Sequence, residues 1–190
     1  MDIRDLAGEI WRSVNGEMPL DGRDSEYISW KESLPRLIRV LQDAGLGNIT
    51  IAAECELPTG GRIDVVLLGY SAADKKPLAV LVEMKQWSCE GIELYDNGYT
   101  SIRVHSSHGD YQSMHPVCQT DGYMKYMERN HEGVIDGRLE VKSCQYLFNF
   151  AAAKKNDLFS RDFEKYRAAA DRMFCMGEEN RFKEFLEGLF

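Results

Sequence analysis

The sequence predicts an α/β (α+β) fold: a central mixed β-sheet flanked by helices, with an extra hairpin and C-terminal helices. Three observations predict it. The hydrophobic period is helical before residue 45 and becomes extended just after it. Three apolar runs then follow one another with only short turns between them. Helical segments lie on both sides of a later apolar strand, the pattern of layers packed about one sheet.

Ile3, Leu6 and Ile10 make a first helical stripe. "DGRDSEYISWKESLPRLIRVLQDAGLGN" reads as a helix with Tyr27, Trp30, Leu34, Leu37, Ile38 and Leu41 on its apolar face. Gly45 ends it, and Pro35 either starts a second piece or kinks a longer one. "NITIAAECELP" and "RIDVVLLGY", joined by "TGG", form a hairpin, and "LAVLVEMKQW" is the third and most apolar strand. "GIELYDNGYTSIRV" is a further hairpin turning at Asp96-Asn97-Gly98. The polar "HSSHGDYQSM" reads as a loop, and "HPVCQTDGYMKYMERN" as a helix with Pro116 in its first turn. "EVKSCQYLFNF" is a strand, and "SRDFEKYRAAADRMF" and "ENRFKEFLEGLF" are the closing helices.

Length and composition suit a single domain over 1–190, with a core at 25–150. The C-terminal helical extension, 151–190, could lead into a further domain. No apolar run approaches the roughly eighteen residues of a membrane span, and the acidic N-terminus lacks a signal-peptide core. The cysteines Cys55, Cys89, Cys118, Cys144 and Cys175 are odd in number and scattered, which predicts reduced thiols and a cytoplasmic location. A net charge of −8 argues against tight non-specific nucleic-acid binding by bulk charge, while leaving room for a local basic groove or a cation-collecting site.

Chemistry concentrates at "LVEMKQW". In a strand Glu83 and Lys85 share a face, with Val82 and Met84 on the other. Opposite charges at the end of a core strand are costly unless they pair or act. Asp64 sits just inside the preceding strand, and Gln119 and Tyr123 lie one turn apart on the helix after Pro116. Asp64 and Glu83 on neighbouring strands, with the Met84 carbonyl, suit a hard divalent cation such as Mg²⁺ or Mn²⁺. Lys85 beside them could orient a water or stabilise a developing oxyanion.

At "GRID", "EMK" and "QTDGY", the last fitting a QxxxY pattern, the chain resembles the PD-(D/E)XK nuclease superfamily, in its RecB-like branch. "SEYISWKESLP" and "HPVCQTDGY" look like the N-terminal nuclease domain of bacterial nuclease–helicase proteins, some linked to phage defence. The resemblance spans 25–150, about two thirds of the chain, and departs from the family name where Ile63 replaces the proline. It implies a restriction-endonuclease-like core and Mg²⁺-dependent hydrolysis of nucleic acid, DNA before RNA. The implied site has Asp64, Glu83 and Met84 as metal ligands and Lys85, Gln119 and Tyr123 beside them. A downstream helicase domain or partner and a dimer are compatible with it. An upstream acid commonly joins such sites; Glu26, Glu32, Glu54 and Glu56 are candidates, and Glu26 is preferred for its "SExxSW" setting.

A competing expectation is a catalytically inactive nuclease fold that binds nucleic acid or docks a protein. His105, His108, His115 and Cys118 fit no strong zinc spacing, and His115 is better placed to fix the helix entry or touch a phosphate. Lys154-Lys155 reads as solvated loop charge, and Phe182, Phe185, Leu186 and Leu189 as a core stripe.

Overall fold

The computed structural model describes residues 8, 12, 25–94, 101–106 and 109–190. The stripe at Ile3, Leu6 and Ile10, the turn at Asp96-Asn97-Gly98, and His108 lie outside the described residues. The expected mixed α/β architecture is present: a five-stranded sheet, a second sheet of three strands and flanking helices.

Helix α1 (Ser25–Asp43) is one continuous helix with Pro35 inside it, not two pieces. Trp30, Leu34, Leu37, Val40 and Leu41 recur at helical spacing and are buried, so packing overrides the hydrogen bond that proline cannot donate. Gly45 (φ +66°) takes the left-handed conformation just beyond the helix, and Leu46 N–H reaches back to the Leu41 carbonyl at 2.9 Å.

Strands β1 (Thr50–Glu56), β2 (Arg62–Tyr70) and β3 (Pro77–Lys85) form an antiparallel meander. The chain then makes the small antiparallel sheet of β4 (Ile92–Leu94), β5 (Ser101–Ser106) and β6 (Gly109–Met114). Helix α2 (Pro116–Asn130) and the short α3 (Glu132–Ile135) lead to β7 (Glu140–Ala151), which lies parallel to β3. Two 3₁₀-type stretches, Ala152–Phe159 and Arg161–Arg172, precede β8 (Met173–Met176), parallel to β7, and α4 (Glu179–Leu189) closes the fold. The main sheet order is β1-β2-β3-β7-β8.

Two sequence expectations are corrected. "HSSHGDYQSM" supplies strand β6, whose polar side chains are tolerated because it is the outer edge of a small sheet. The segment ending "ADRMF" is not one helix: its last residues enter β8, where Met173 and Phe174 fill the core beside β7.

Strand β3 is buried on both faces, which explains its unbroken apolar run. On one face Val80 and Val82 join Trp30, Leu37, Tyr146, Phe148, Phe182 and Leu186 beneath α1 and α4. On the other, Ala79 and Leu81 meet Ile63 and Tyr123 under α2. Beyond them the small sheet lays Ile102 and Val104 on Trp87, Val117 and Leu147. The apolar packing stops where β2 and β3 run out, and the polar residues begin there.

Candidate active site

Strand register builds the site. Ala53–Val65 and Cys55–Ile63 are paired, so Glu54 and Asp64 fall opposite one another between them. Val65 pairs with Val82, so Asp64 comes level with Glu83, and Glu83 pairs with Gln145. Three acids on three adjacent strands thus stand in one row across the sheet. The ladder gives way here: the Met84 N–H donates to Asp64 Oδ2 at 2.8 Å, a side chain taking the place of a main-chain partner. N–H and C=O of one strand residue point the same way, so the Met84 carbonyl lies on the Asp64 side as well. The Met84 side chain packs against the core beneath α1.

Glu83 is almost wholly buried, with 1% of its surface exposed. Lys85 Nζ approaches its Oε1 to 2.5 Å, an ion pair, yet neither Glu83 oxygen accepts a hydrogen bond of good geometry. Lys85 also donates to Gln119 Oε1 at 3.2 Å. Gln119 Nε2 donates to the Tyr123 hydroxyl at 2.7 Å, and that hydroxyl donates to the Arg62 carbonyl at 2.6 Å. The direction of every bond in this chain is fixed, because lysine has only donors and the carbonyl only accepts. The lysine ammonium further lies 5.5 Å from the centre of the Trp87 ring.

The charges balance only because a proton is retained. Two carboxylates, Asp64 and Glu83, face one ammonium, and burial raises the pKa of both acids. Glu83 is pushed up to about 8, by burial first and then by Asp64, against the pull of Lys85. Burial opposes the charge of Lys85, but Glu83 and Asp64 outweigh it and raise its pKa, so it stays an ammonium. Glu54 is raised to about 7, again by burial and then by Asp64.

Of the four upstream acids, Glu54 is the one brought into the row. Its carboxylate is enclosed, Arg62 Nε lies 2.5 Å from its Oε2, and its backbone holds the left-handed φ of +55°. A non-glycine residue in that region carries strain, which structures concentrate at functional positions. Glu32 is exposed and faces Arg36 at 4.0 Å, and Glu56 is exposed at the end of β1, so neither joins. Glu26 lies in the first turn of α1, and its side chain is outside the described residues. Glu54 was legible as a candidate; counting the hairpin register outward from "TGG" is the signal that singles it out.

Glu54, Asp64 and Glu83 line a cavity of about 200 Å³, closed on the α1 side by Ser29, Trp30 and Ser33. A larger cleft, about 430 Å³ near Tyr70 and Phe190, is lined by no acidic side chain. The smaller cavity is the one that gathers the buried acids and Lys85. Among the described residues no three His, Cys, Asp or Glu side chains converge as a ready-made metal group. Mg²⁺ needs fewer, since it binds through one or two carboxylates and completes its shell with water and phosphate oxygens. Two buried acids that share one ammonium, holding a proton that a cation could replace and two oxygens that accept no well-aligned hydrogen bond, fit such an ion.

His115 has no part in this cavity. It is fully buried as the N-cap of α2, where Nδ1 accepts from Val117 N–H and Nε2–H donates to the Leu158 carbonyl. Its ring stacks on Phe163 and Tyr166, and burial pushes its pKa down to about 4. It fixes the helix entry as a neutral ring. Lys155, expected in solvent, is buried against Glu178 instead.

Searches of protein families, curated proteins and solved structures return no match to this chain, so its function is inferred from its own residues. No helix among the described residues is long and apolar enough to cross a membrane.

Proposed function

We propose that the chain is a Mg²⁺- or Mn²⁺-dependent nuclease domain that hydrolyses DNA phosphodiester bonds. The observation that carries the proposal is the gathering of Asp64, Glu83 and Lys85 at the adjoining ends of β2 and β3, two buried acids to one ammonium, with a proton retained where a cation could sit. Asp64, Glu83 and the Met84 carbonyl would hold the cation. When bound, it supplies a Lewis acid that acidifies water and neutralises charge on the phosphate.

The protein's own groups do the rest. Lys85 remains protonated, so it donates hydrogen bonds to the attacking water or a phosphate oxygen and does not remove a proton. Gln119 takes one of its three N–H directions and leaves others for the substrate. Tyr123 positions Gln119 and touches nothing that reacts. Glu54, with a pKa of about 7, can exchange a proton near neutral pH at the edge of the same cavity.

The test is cleavage of single- and double-stranded DNA with Mg²⁺ or Mn²⁺ by the wild type, Asp64→Ala and Lys85→Ala. Cleavage by the wild type and its loss in both variants is expected; equal activity in all three would overturn the site. A second reading, a fold that binds nucleic acid or docks a protein without cutting, is favoured by the net charge of −8. DNA binding by a wild type that never cleaves would select it.

A further inference from the structure

The small sheet does more than cover the core: its edge strand carries an exposed aromatic on the face that packs toward Trp87, the ring beside Lys85. Tyr111 on β6 pairs with Val104 on β5, so both side chains project from the same face. That face is the inner one, because Val104 and Ile102 are buried on Trp87. Trp87 in turn lies under the ammonium of Lys85. Tyr111 is the next residue outward from this buried group, and it remains 49% exposed.

Tyr111 is thus a half-exposed aromatic ring on the face that packs toward Trp87, whose own ring lies 5.5 Å from the Lys85 ammonium. Ile102 and Val104 are buried in the cluster that holds Trp87, and Tyr111 lies outside it. An aromatic ring held on a rigid strand is, however, what a nucleobase stacks on, and the adjacent ammonium suits the phosphate attached to that base.

We propose that Tyr111 is the residue on which an unpaired base of the substrate stacks, next to the phosphate held at Lys85. The proposal rests on the nuclease reading and names its substrate class. In a duplex both faces of each base are covered by its neighbours, so only a single-stranded or splayed segment can present a free face to the ring. The substrate is therefore a single strand, or the unpaired part of a partly paired one. The phosphates give affinity along the strand, and Tyr111 adds a contact that requires a base without reading which base it is.

The test is binding by fluorescence anisotropy in Ca²⁺, which supports substrate binding without requiring cleavage. A single-stranded oligonucleotide is compared with an abasic strand of equal length and charge, on the wild type, Tyr111→Phe and Tyr111→Ala. The wild type is expected to prefer the strand with bases by about five- to 150-fold. Tyr111→Phe keeps that preference, since the ring remains, and Tyr111→Ala abolishes it while binding the abasic strand as before. No preference in the wild type, or a preference surviving in Tyr111→Ala, overturns the proposal. Cleavage is measured separately on the same strands. Cleavage without a base preference removes Tyr111 and leaves the nuclease standing; a Tyr111-dependent base preference without cleavage does the reverse.

Discussion

Two buried lysine–glutamate pairs, one at the end of β3 and one beside β8, show different designs. Lys155 and Glu178 are each 11% exposed at the side chain, and Glu178 is saturated with donors. Lys155 reaches both of its oxygens, at 3.3 and 3.1 Å, the Cys175 N–H donates to it at 3.0 Å, and Arg181 pairs with it from outside. Lys155 also donates to the Met173 carbonyl, tying the stretch after β7 to β8. Lys85 and Glu83 are as deeply placed, but Glu83 has no well-aligned donor and shares its surroundings with a second acid. A buried charge that only has to be stable is fully bonded. One left short of partners has room for another ligand.

Removing the lysine from each pair gives the largest contrast. Lys155→Ala leaves Glu178 with a weakened set of donors in the interior, and a loss of about 3 kcal/mol in urea unfolding is expected, with activity per folded molecule unchanged. Lys85→Ala should reverse the pattern. Glu83 can take up a proton in place of its partner, so the unfolding midpoint moves little while cleavage falls by roughly 10²–10³-fold. Equal destabilisation by the two substitutions, with cleavage kept in both, would make the pairs alike and both structural.

Cation binding sharpens the same contrast. Glu83 and Glu54 have pKa values of about 8 and about 7 against an ordinary 4.5, so the folded chain keeps protons that the unfolded chain has lost. The metal-free protein is therefore most stable below pH 4.5 with respect to these groups, and loses that contribution as pH rises toward 8. A drop of a few degrees in Tm between pH 5 and 8 is expected. Mg²⁺ or Mn²⁺ competes with those protons, so it should bind more tightly at pH 8 than at pH 6. At about a hundred times its Kd it adds roughly 2.7 kcal/mol, or some 5–10 °C of Tm for a chain of this size. Glu83→Gln should lose most of that shift, and an undiminished shift in the variant would move the cation elsewhere.

Much of this is legible in the sequence alone, and the limits follow a physical line. The strands of the meander and Gln119–Tyr123 on α2 depend on local period and turn chemistry, which a sequence carries directly. The side chains that face Asp64 and Glu83 depend on register, and only Glu54 could have been fixed by counting back from the "TGG" turn. Strand β8 escaped notice because "MFCM" follows a helical pattern without a turn signal, and pairing with β7 decides its state. Strand β6 escaped because an edge strand needs no alternation of apolar residues, so "GDYQSM" has the composition of a loop. Lys155 shows the same limit, since only the fold brings Glu178 to it.

The smallest expected effect separates positioning from catalysis within the unsaturated pair. Tyr123→Phe keeps the ring packed on Ile63 and Leu81 but deletes the hydroxyl between Gln119 and the Arg62 carbonyl. Both groups are left without that partner, at a cost of about 1–2 kcal/mol of stability. Lys85 then loses the fixed orientation of the amide it binds, and cleavage should fall by less than about tenfold, in kcat more than in KM. If Tyr123 acts only through Gln119, the loss in kcat disappears when Tyr123→Phe is made on a Gln119→Ala background, because no amide remains to be oriented. A loss that persists in the double variant would mean that the hydroxyl touches the substrate itself.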